Sequence, residues 1–192
     1  MSTTMTKTIQ DPPIGEKELV KQACTNAEAF AELYHRYVQN IYRYHIAHTG
    51  NPKDAEDLTS QTFIAALEGI RSYRETGPFI AWLMGIARRK RLMFFRNRRP
   101  EVPLESANDL PNPALSTDKA AILRLQIQTV QRALQQISND RAEAITLCIF
   151  GNLTISEAGH TLGKSEAAVK MLLSRGLQDL RERTSLALEV EL

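Results

Sequence analysis

The chain has 192 residues, 43% of them hydrophobic and 24% charged, with a formal net charge of +2. That composition is typical of a folded soluble protein, and so small a net charge says little about partners. No stretch approaches the ~20 apolar residues of a membrane span, and residues 1–9 lack the apolar core of a signal peptide. Cys24 and Cys148 stand at no metal or redox spacing and fit buried thiols in a reducing compartment. We therefore expect a cytoplasmic protein without membrane insertion.

Proline and glycine divide the chain into segments. Four prolines fall within residues 99–117, while the segments on either side show helical apolar spacing and no sustained apolar-polar alternation. The sequence therefore predicts an all-α fold with two small helical domains joined by a proline-rich linker. The predicted boundaries are a flexible leader at 1–15, a first domain at 16–98, the linker at 99–117, a second domain at 118–184 and a tail at 185–192.

A helix that starts near Pro52 is predicted to carry an acidic stripe. Gly50-Asn51-Pro52 is a helix stop followed by a helix start. From there Asp54, Asp57 and Gln61 recur on one narrow face, with Ile64 at its edge. The stripe is either a solvated outer face, with acids favoured by the helix dipole, or a docking face for a basic protein partner. The residues alone favour the solvated face.

A short polar loop, residues 71–77, follows this helix. It holds two arginines and one aromatic residue, namely Arg71, Arg74 and Tyr73. The Tyr73 ring could stack on a nucleic-acid base or cap the protein core. The sequence does not choose between these two roles.

A basic helix comes next. Residues 88–99 contain seven basic residues and no acidic one, and they continue an amphipathic helix whose apolar side carries Trp82 and Leu83. On a helical wheel the candidate contacts gather on the far side: Arg88, Arg91, Phe95, Arg96 and Arg99. Cations interleaved with exposed apolar groups suit nucleic acid with partly unstacked bases, because phosphates and base faces are contacted together. The alternative is a solvated helix face.

The strongest local pattern lies between residues 154 and 180. Thr154 and Glu157 fit a capping box, Gly163 fits the turn that ends a short helix, and Ser165 can cap a second, longer helix. Two helices joined in this way are the geometry that places the second helix in a DNA major groove. The candidate contacts on that helix are Ser165, Glu166, Lys170, Ser174 and Arg175. An ordinary helical hairpin is the alternative.

Together these segments resemble the extracytoplasmic-function (ECF) group of bacterial RNA polymerase sigma factors. In the first domain the resemblance rests on AEAFAELY at 27–34, DAEDLTSQTF at 54–63 and AWLMGIAR at 81–88. In the second it rests on residues 157–163 and 165–170, with the proline-rich linker between the two sets. The sequence departs from the family pattern at Lys90, Gly159, Lys164 and Leu172, which bears on promoter sequence and not on the class.

The resemblance implies a role for each surface. The acidic helix would dock on the coiled coil of the polymerase beta-prime subunit through Asp54, Asp57, Gln61 and Ile64. The loop at 71–77 would help to open the minus-ten promoter element, the basic helix would recognise that element, and the second domain would read the minus-thirty-five element. The implied partners are core RNA polymerase, through its beta-prime and beta subunits, promoter DNA and an anti-sigma factor.

Two other function classes are weighed against this one. A polymerase-independent helix-turn-helix regulator would explain the second domain but not the acidic stripe beside the basic helix. An enzyme would need a reactive site, and the sequence has neither a Gly-rich phosphate loop nor a recognisable nucleophile motif. His45 and His48 lie three residues apart with no third ligand candidate at useful spacing, so we expect structural histidines. We expect no enzymatic activity, no cofactor, no metal and no small-molecule substrate.

Overall fold

The computed structural model describes residues 15–74, 76–97 and 117–190, with side chains in the last range from 121 to 182. Within these ranges the chain forms α-helices joined by short turns, and no strand is present among them. The predicted all-α fold is confirmed. The predicted leader and linker lie almost wholly outside the described residues, and so does Arg99.

The described part of the first domain contains α1 (Glu16–Ala23), α2 (Ala27–Thr49), α3 (Pro52–Gly69), a 3-10 turn (Ile70–Ser72) and α4 (Phe79–Asn97). The ends of α2 and α3 follow from local sequence. Gly50 takes a left-handed φ of 66°, which ends α2. Asn51 caps α3 by accepting hydrogen bonds from two backbone N–H groups, and Pro52 fills the first turn, where no N–H is needed. The predicted stop and start are confirmed.

The described part of the second domain contains α5 (Thr117–Gln135), α6 (Asn139–Ile145), a π-helical turn (Thr146–Phe150), α7 (Ile155–Leu162) and α8 (Glu166–Val190). Helices α6 and α7 both pack on α8. The backbone of α8 stays helical to Val190, beyond the predicted domain end at 184. The helix continues because no proline or glycine interrupts residues 181–190.

The core of the first domain forms where α2 packs against α1 and α3, with α4 closing the other side. Leu33, Ile41 and Tyr44 of α2 are completely buried there. Leu58 and Phe63 of α3 also point inward, so the apolar arc of α3 lies opposite its acidic stripe, as its spacing predicts.

The two domains pack directly against each other. Helix α7 lies against α4, the π-helical turn lies against α2, and the buried apolar cluster runs on into the second domain through residues such as Leu147. Asn40 Nδ2 also donates to the Gly151 carbonyl at 2.6 Å. The sequence predicts two small helical domains joined by a linker, whereas in the structure two buried apolar clusters extend across the junction between the domains. Each set of helices is small, so joining them buries apolar surface that neither could cover alone.

Candidate nucleic-acid and protein interfaces

The acidic face of α3 is presented to solvent. Asp57 and Gln61 are exposed, Asp54 is half-buried, and Ile64 is 58% exposed. Leu67, one turn further along, is 52% exposed. Large apolar side chains beside carboxylates form a surface suited to a partner that is both basic and partly apolar. The four residues predicted to dock share one accessible face, and their docking role stays a prediction.

The loop at 71–77 exposes its two arginines. The Arg71 Nε donates to the Cys24 carbonyl at 3.3 Å, which ties the start of the loop to the end of α1. Arg74 projects from the middle of the loop into solvent. Both predicted contacts are therefore accessible from outside the first domain.

Tyr73 points the other way, toward the core. Its ring packs near Phe79 and Trp82, with centroid distances of 5.6 and 5.3 Å. Its hydroxyl donates to the Gly77 carbonyl at 2.5 Å. Of the two roles left open by the sequence, this conformation favours a core cap that also holds the loop closed.

Part of the basic face of α4 is exposed as predicted. Arg96 is exposed, Phe95 is 37% exposed and Arg88 is half-buried. Leu92 and Met93 lie beside them at 45% and 44% exposure. Cations and large apolar groups therefore alternate on an accessible helix surface, which suits phosphates and unstacked bases together.

Arg91 does not lie on that exposed face. Its side chain is 7% exposed and forms an ion pair with Glu143 of α6. Its Nε also donates to the Tyr44 hydroxyl at 3.0 Å. The helical wheel predicted exposure because it treats α4 alone, whereas the second domain covers this side of the helix. The predicted exposure of Arg91 is wrong, and DNA contact through Arg91 would require the domain junction to open.

Glu143 is the centre of a buried polar group that we call the Glu143 cluster: Glu143, Arg88, Arg91, Tyr44 and His48. The Glu143 side chain is completely buried. Besides Arg91, it has the Arg88 Nε at 3.4 Å and accepts a hydrogen bond from the Tyr44 hydroxyl at 3.3 Å. Burial and the Glu143 carboxylate raise the pKa of Tyr44, which keeps that hydroxyl protonated as a donor. Two cations compensate one carboxylate for its lost water.

His48 joins the cluster as a neutral ring. Its Nδ1 lies 3.4 Å from the Arg91 guanidinium, which can only donate, so Nε2 carries the proton and can donate to the Thr146 hydroxyl at 3.1 Å. Burial, with the Arg91 charge, holds the pKa of His48 well below its usual range. The same causes lower the pKa of His45 to about 3. Both rings are therefore uncharged at neutral pH. No group of three or more His, Cys, Asp or Glu side chains in the described ranges is arranged to hold a metal.

The helix-turn-helix has the predicted geometry. Thr154 and Glu157 form both halves of the capping box, and Gly163 adopts a left-handed φ of 63°. Ser165 Oγ accepts from the Ala168 N–H at 3.3 Å at the start of α8. Val169 is completely buried, so the opposite face of α8 points outward. All five candidate contacts are exposed, namely Ser165, Glu166, Lys170, Ser174 and Arg175.

A cleft forms where α7 meets the loop at 71–77. It encloses about 310 Å³. Tyr73, Arg74 and Trp82 line it from the first domain, and His160 lines it from the second. The second domain thus covers one side of the loop that the sequence predicts to contact DNA.

Sequence reasoning missed Glu143 as a partner of the basic helix. The available signal was an acidic residue set among apolar ones, since Ala142, Ala144 and Ile145 surround it. A lone buried acid needs a cation, and the basic run of α4 is the richest source of cations in the chain. The sequence pattern does not identify which arginine pairs with Glu143, because the partner, Arg91, lies 52 residues away in the chain.

Comparison with known proteins agrees with this geometry. Residues 33–101 match the family model for sigma-70 region 2, and residues 127–180 match the model for sigma-70 region 4. The ECF RNA polymerase sigma factor SigF of Caulobacter vibrioides is 30% identical over 142 residues, which cover 70% of this chain and 73% of that protein. The chain belongs to the ECF RNA polymerase sigma factors.

Other relatives are longer than this ECF chain. BldN of Streptomyces coelicolor is 32% identical over 167 residues, covering 85% of this chain and 63% of BldN. SigE of Mycolicibacterium smegmatis is 30% identical over 154 residues, covering 79% of this chain and 60% of SigE. The chain thus spans less than two thirds of the length of these two relatives.

The fold also matches a solved structure. CnrH, determined in complex with the cytosolic domain of CnrY, superposes with a TM-score of 0.68 at 23% identity, covering 89% of this chain and 97% of that one. At that identity the likeness concerns the fold. None of the helices in the described part of this chain combines the length and apolarity that a membrane span needs.

Proposed function

We propose that this chain is a promoter-recognition subunit of RNA polymerase. It docks on core polymerase, recognises the minus-thirty-five and minus-ten promoter elements, and promotes DNA melting for initiation. The observation that supports this most strongly is the pairing of two unlike surfaces in one small domain. The acidic and apolar face of α3 suits a protein partner, and the basic and aromatic face of α4 suits nucleic acid.

Docking uses the exposed face of α3. Asp54, Asp57 and Gln61 meet a basic surface on the beta-prime coiled coil, and Ile64 fills an apolar pocket at its edge. Charge complementarity sets the orientation and speeds the encounter, while the Ile64 anchor adds burial. Docking places α4 above the upstream part of the minus-ten element.

Melting uses α4 and the loop before it. Arg96 and Arg74 neutralise backbone phosphates, and Phe95 offers a ring to an unstacked base of the non-template strand. Stacking of one base on an aromatic side chain contributes about 1–3 kcal/mol, which offsets part of the cost of opening the duplex. Tyr73 can take part only after its ring leaves the contact with Phe79 and Trp82.

Recognition of the minus-thirty-five element uses the start of α8. Lys170 and Arg175 are exposed near the start of α8, together with Ser165 and Ser174, so this end of the helix can contact base edges and the flanking phosphates. No covalent chemistry is assigned to the chain itself. Core polymerase holds the catalytic magnesium and makes the phosphodiester bonds, and the protein works in the cytoplasm beside it.

The test is reconstituted run-off transcription. Purified protein is combined with core polymerase on a genomic promoter library, and the 5′ ends of the transcripts are sequenced. The proposal predicts discrete start sites that require both components, preceded by common minus-ten and minus-thirty-five sequences. A protein that shifts duplex operator DNA by itself and leaves core polymerase unchanged would instead be a polymerase-independent helix-turn-helix regulator.

A protein inhibitor is the further partner in this proposal. One solved relative, the sigma factor RpoE of Bartonella quintana, was determined in complex with the anti-sigma factor NepR. An inhibitor of that kind need only cover the docking face at Asp54, Asp57 and Ile64 to compete with core polymerase. Pull-downs from uninduced cells should recover it, and excess core polymerase should displace it. Recovery of polymerase subunits alone, together with constitutive activity in cells, would remove the inhibitor from the proposal.

A further inference from the structure

The domain junction covers groups that the proposed function needs on the outside. Arg91 and Arg88 of α4 both form ion pairs with Glu143, which belongs to the second domain. At the other end of the junction, Thr161 Oγ1 of α7 donates to the Ala81 carbonyl at 3.3 Å, and α7 flanks the loop cleft through His160. Part of the basic helix and one side of the loop therefore face protein.

This arrangement cannot bind both promoter elements. Elements some two turns of DNA apart lie about 70 Å from each other along the duplex. Here α7 of the helix-turn-helix touches α4, the helix assigned to the minus-ten element. The domains must separate before both elements are contacted, so every bond across the junction belongs to a form of the protein that is not engaged on a promoter.

We propose that the Glu143 cluster is a lock that holds the free protein in this closed, promoter-incompetent form. The inference rests on the proposed function. The interaction surface is the second domain around Glu143, and its partner is the chain's own basic helix. The Glu143 carboxylate takes the place that a DNA phosphate would occupy, since both are anions. It accepts a charge-assisted hydrogen bond from Arg91 and lies within ion-pair distance of the Arg88 Nε, at 3.4 Å.

The Glu143 cluster favours one relative position of the two domains at their junction. Apolar contacts such as Ala47 against Leu134 and Ile137 hold the domains together but tolerate sliding. A buried carboxylate or guanidinium without its partner is costly, so closures that misalign Glu143 and Arg91 are disfavoured. When the domains separate, water solvates all the charges again. The lock therefore selects one closed form and still opens reversibly.

The experiment measures the compactness of the full chain in solution by small-angle X-ray scattering. A compact chain of 192 residues has a radius of gyration of roughly 16 Å. Glu143→Gln leaves Arg91 and Arg88 in the junction without an anion and should shift the equilibrium about 100-fold toward the open form. The radius should then rise by several ångströms. Asp140→Asn is the matched control, since it removes the same charge from the same helix but breaks only the partly exposed pair with Lys164.

A second substitution separates the lock from a merely structural role of Glu143. Adding Arg91→Gln to Glu143→Gln removes the unpaired buried cation and should return the radius toward that of the wild type. A residue that only supports the fold of α6 would show no such rescue. Circular dichroism confirms helix content throughout. If the Glu143→Gln chain loses helix content, the single variant Arg91→Gln is measured in its place. Its radius of gyration should exceed that of the wild type while its helix content stays unchanged.

Two results would overturn the lock: a wild-type radius equal to that of the fully helical Glu143→Gln chain, or expansion that Arg91→Gln does not reverse. A transcription arm keeps this separate from the proposed function. The opened variant should reach half-maximal run-off at a lower core concentration, because the closed population no longer competes with holoenzyme formation. Absence of promoter-specific transcription from every variant would refute the proposed function, while the scattering data would still decide whether the domains are locked.

Discussion

Docking on core polymerase is tested most sharply by Asp57→Arg combined with Ile64→Ala. Both side chains are exposed on α3, and exposed substitutions usually change folding stability by no more than about 0.5 kcal/mol. The effect should therefore fall on binding. Ile64 is 58% exposed in the free chain, so burying this exposed part at an interface would contribute on the order of 1 kcal/mol to binding. Reversing the charge at Asp57 replaces an attraction by a repulsion that costs several kcal/mol.

Together these losses exceed about 3 kcal/mol, which weakens binding by more than about 100-fold. The assay is co-purification of the variant with tagged core polymerase, followed by titration of the complex. Glu56→Arg is the matched control, because it makes the same charge change at an exposed position of the same helix but on a different side. The control should bind like the wild type. A folded double variant that co-purifies normally with core polymerase would show that this face is not the docking surface.

Three further predictions concern melting, pH and the helix-turn-helix. Tyr73→Ala and Arg74→Ala should reduce transcription from a closed duplex promoter more than from one with a pre-opened bubble, and equal losses on both templates would argue against a melting role. Because the pKa values of His45 and His48 are lowered, the unfolded chain binds protons that the folded chain does not once the pH falls below about 6.5. The free energy of unfolding should then fall as the pH is lowered, by up to about 1.4 kcal/mol per pH unit for each ring that stays unprotonated in the folded chain. Urea unfolding at several pH values measures this, and His45→Gln should have the shallower slope. Thr154→Ala removes the capping box and should lower stability by about 1 kcal/mol, and an unchanged urea midpoint would contradict that role of the cap.

Several structural features follow from residues that are close together in the chain. Helix ends at Gly50 and Gly163 and the caps at Asn51 and Thr154 are visible in the sequence, because each uses backbone groups within a few residues. The apolar arc of α3 and the outward face of α8 follow from helical periodicity for the same reason. The two-domain, all-helical class and the resemblance to the family rest on these local patterns.

Tertiary structure alone decided where certain charged and aromatic side chains point. Arg91 and Arg96 belong to the same basic run, yet one is buried against Glu143 and the other is exposed. Tyr73 could have faced solvent or the core, and its contact with Trp82 settles its direction in this conformation. A helical wheel identifies which face of one helix is apolar, but it cannot identify a cation that is buried because a distant carboxylate meets it. That meeting depends on how two domains pack, and packing is set by surfaces brought together from opposite ends of the chain.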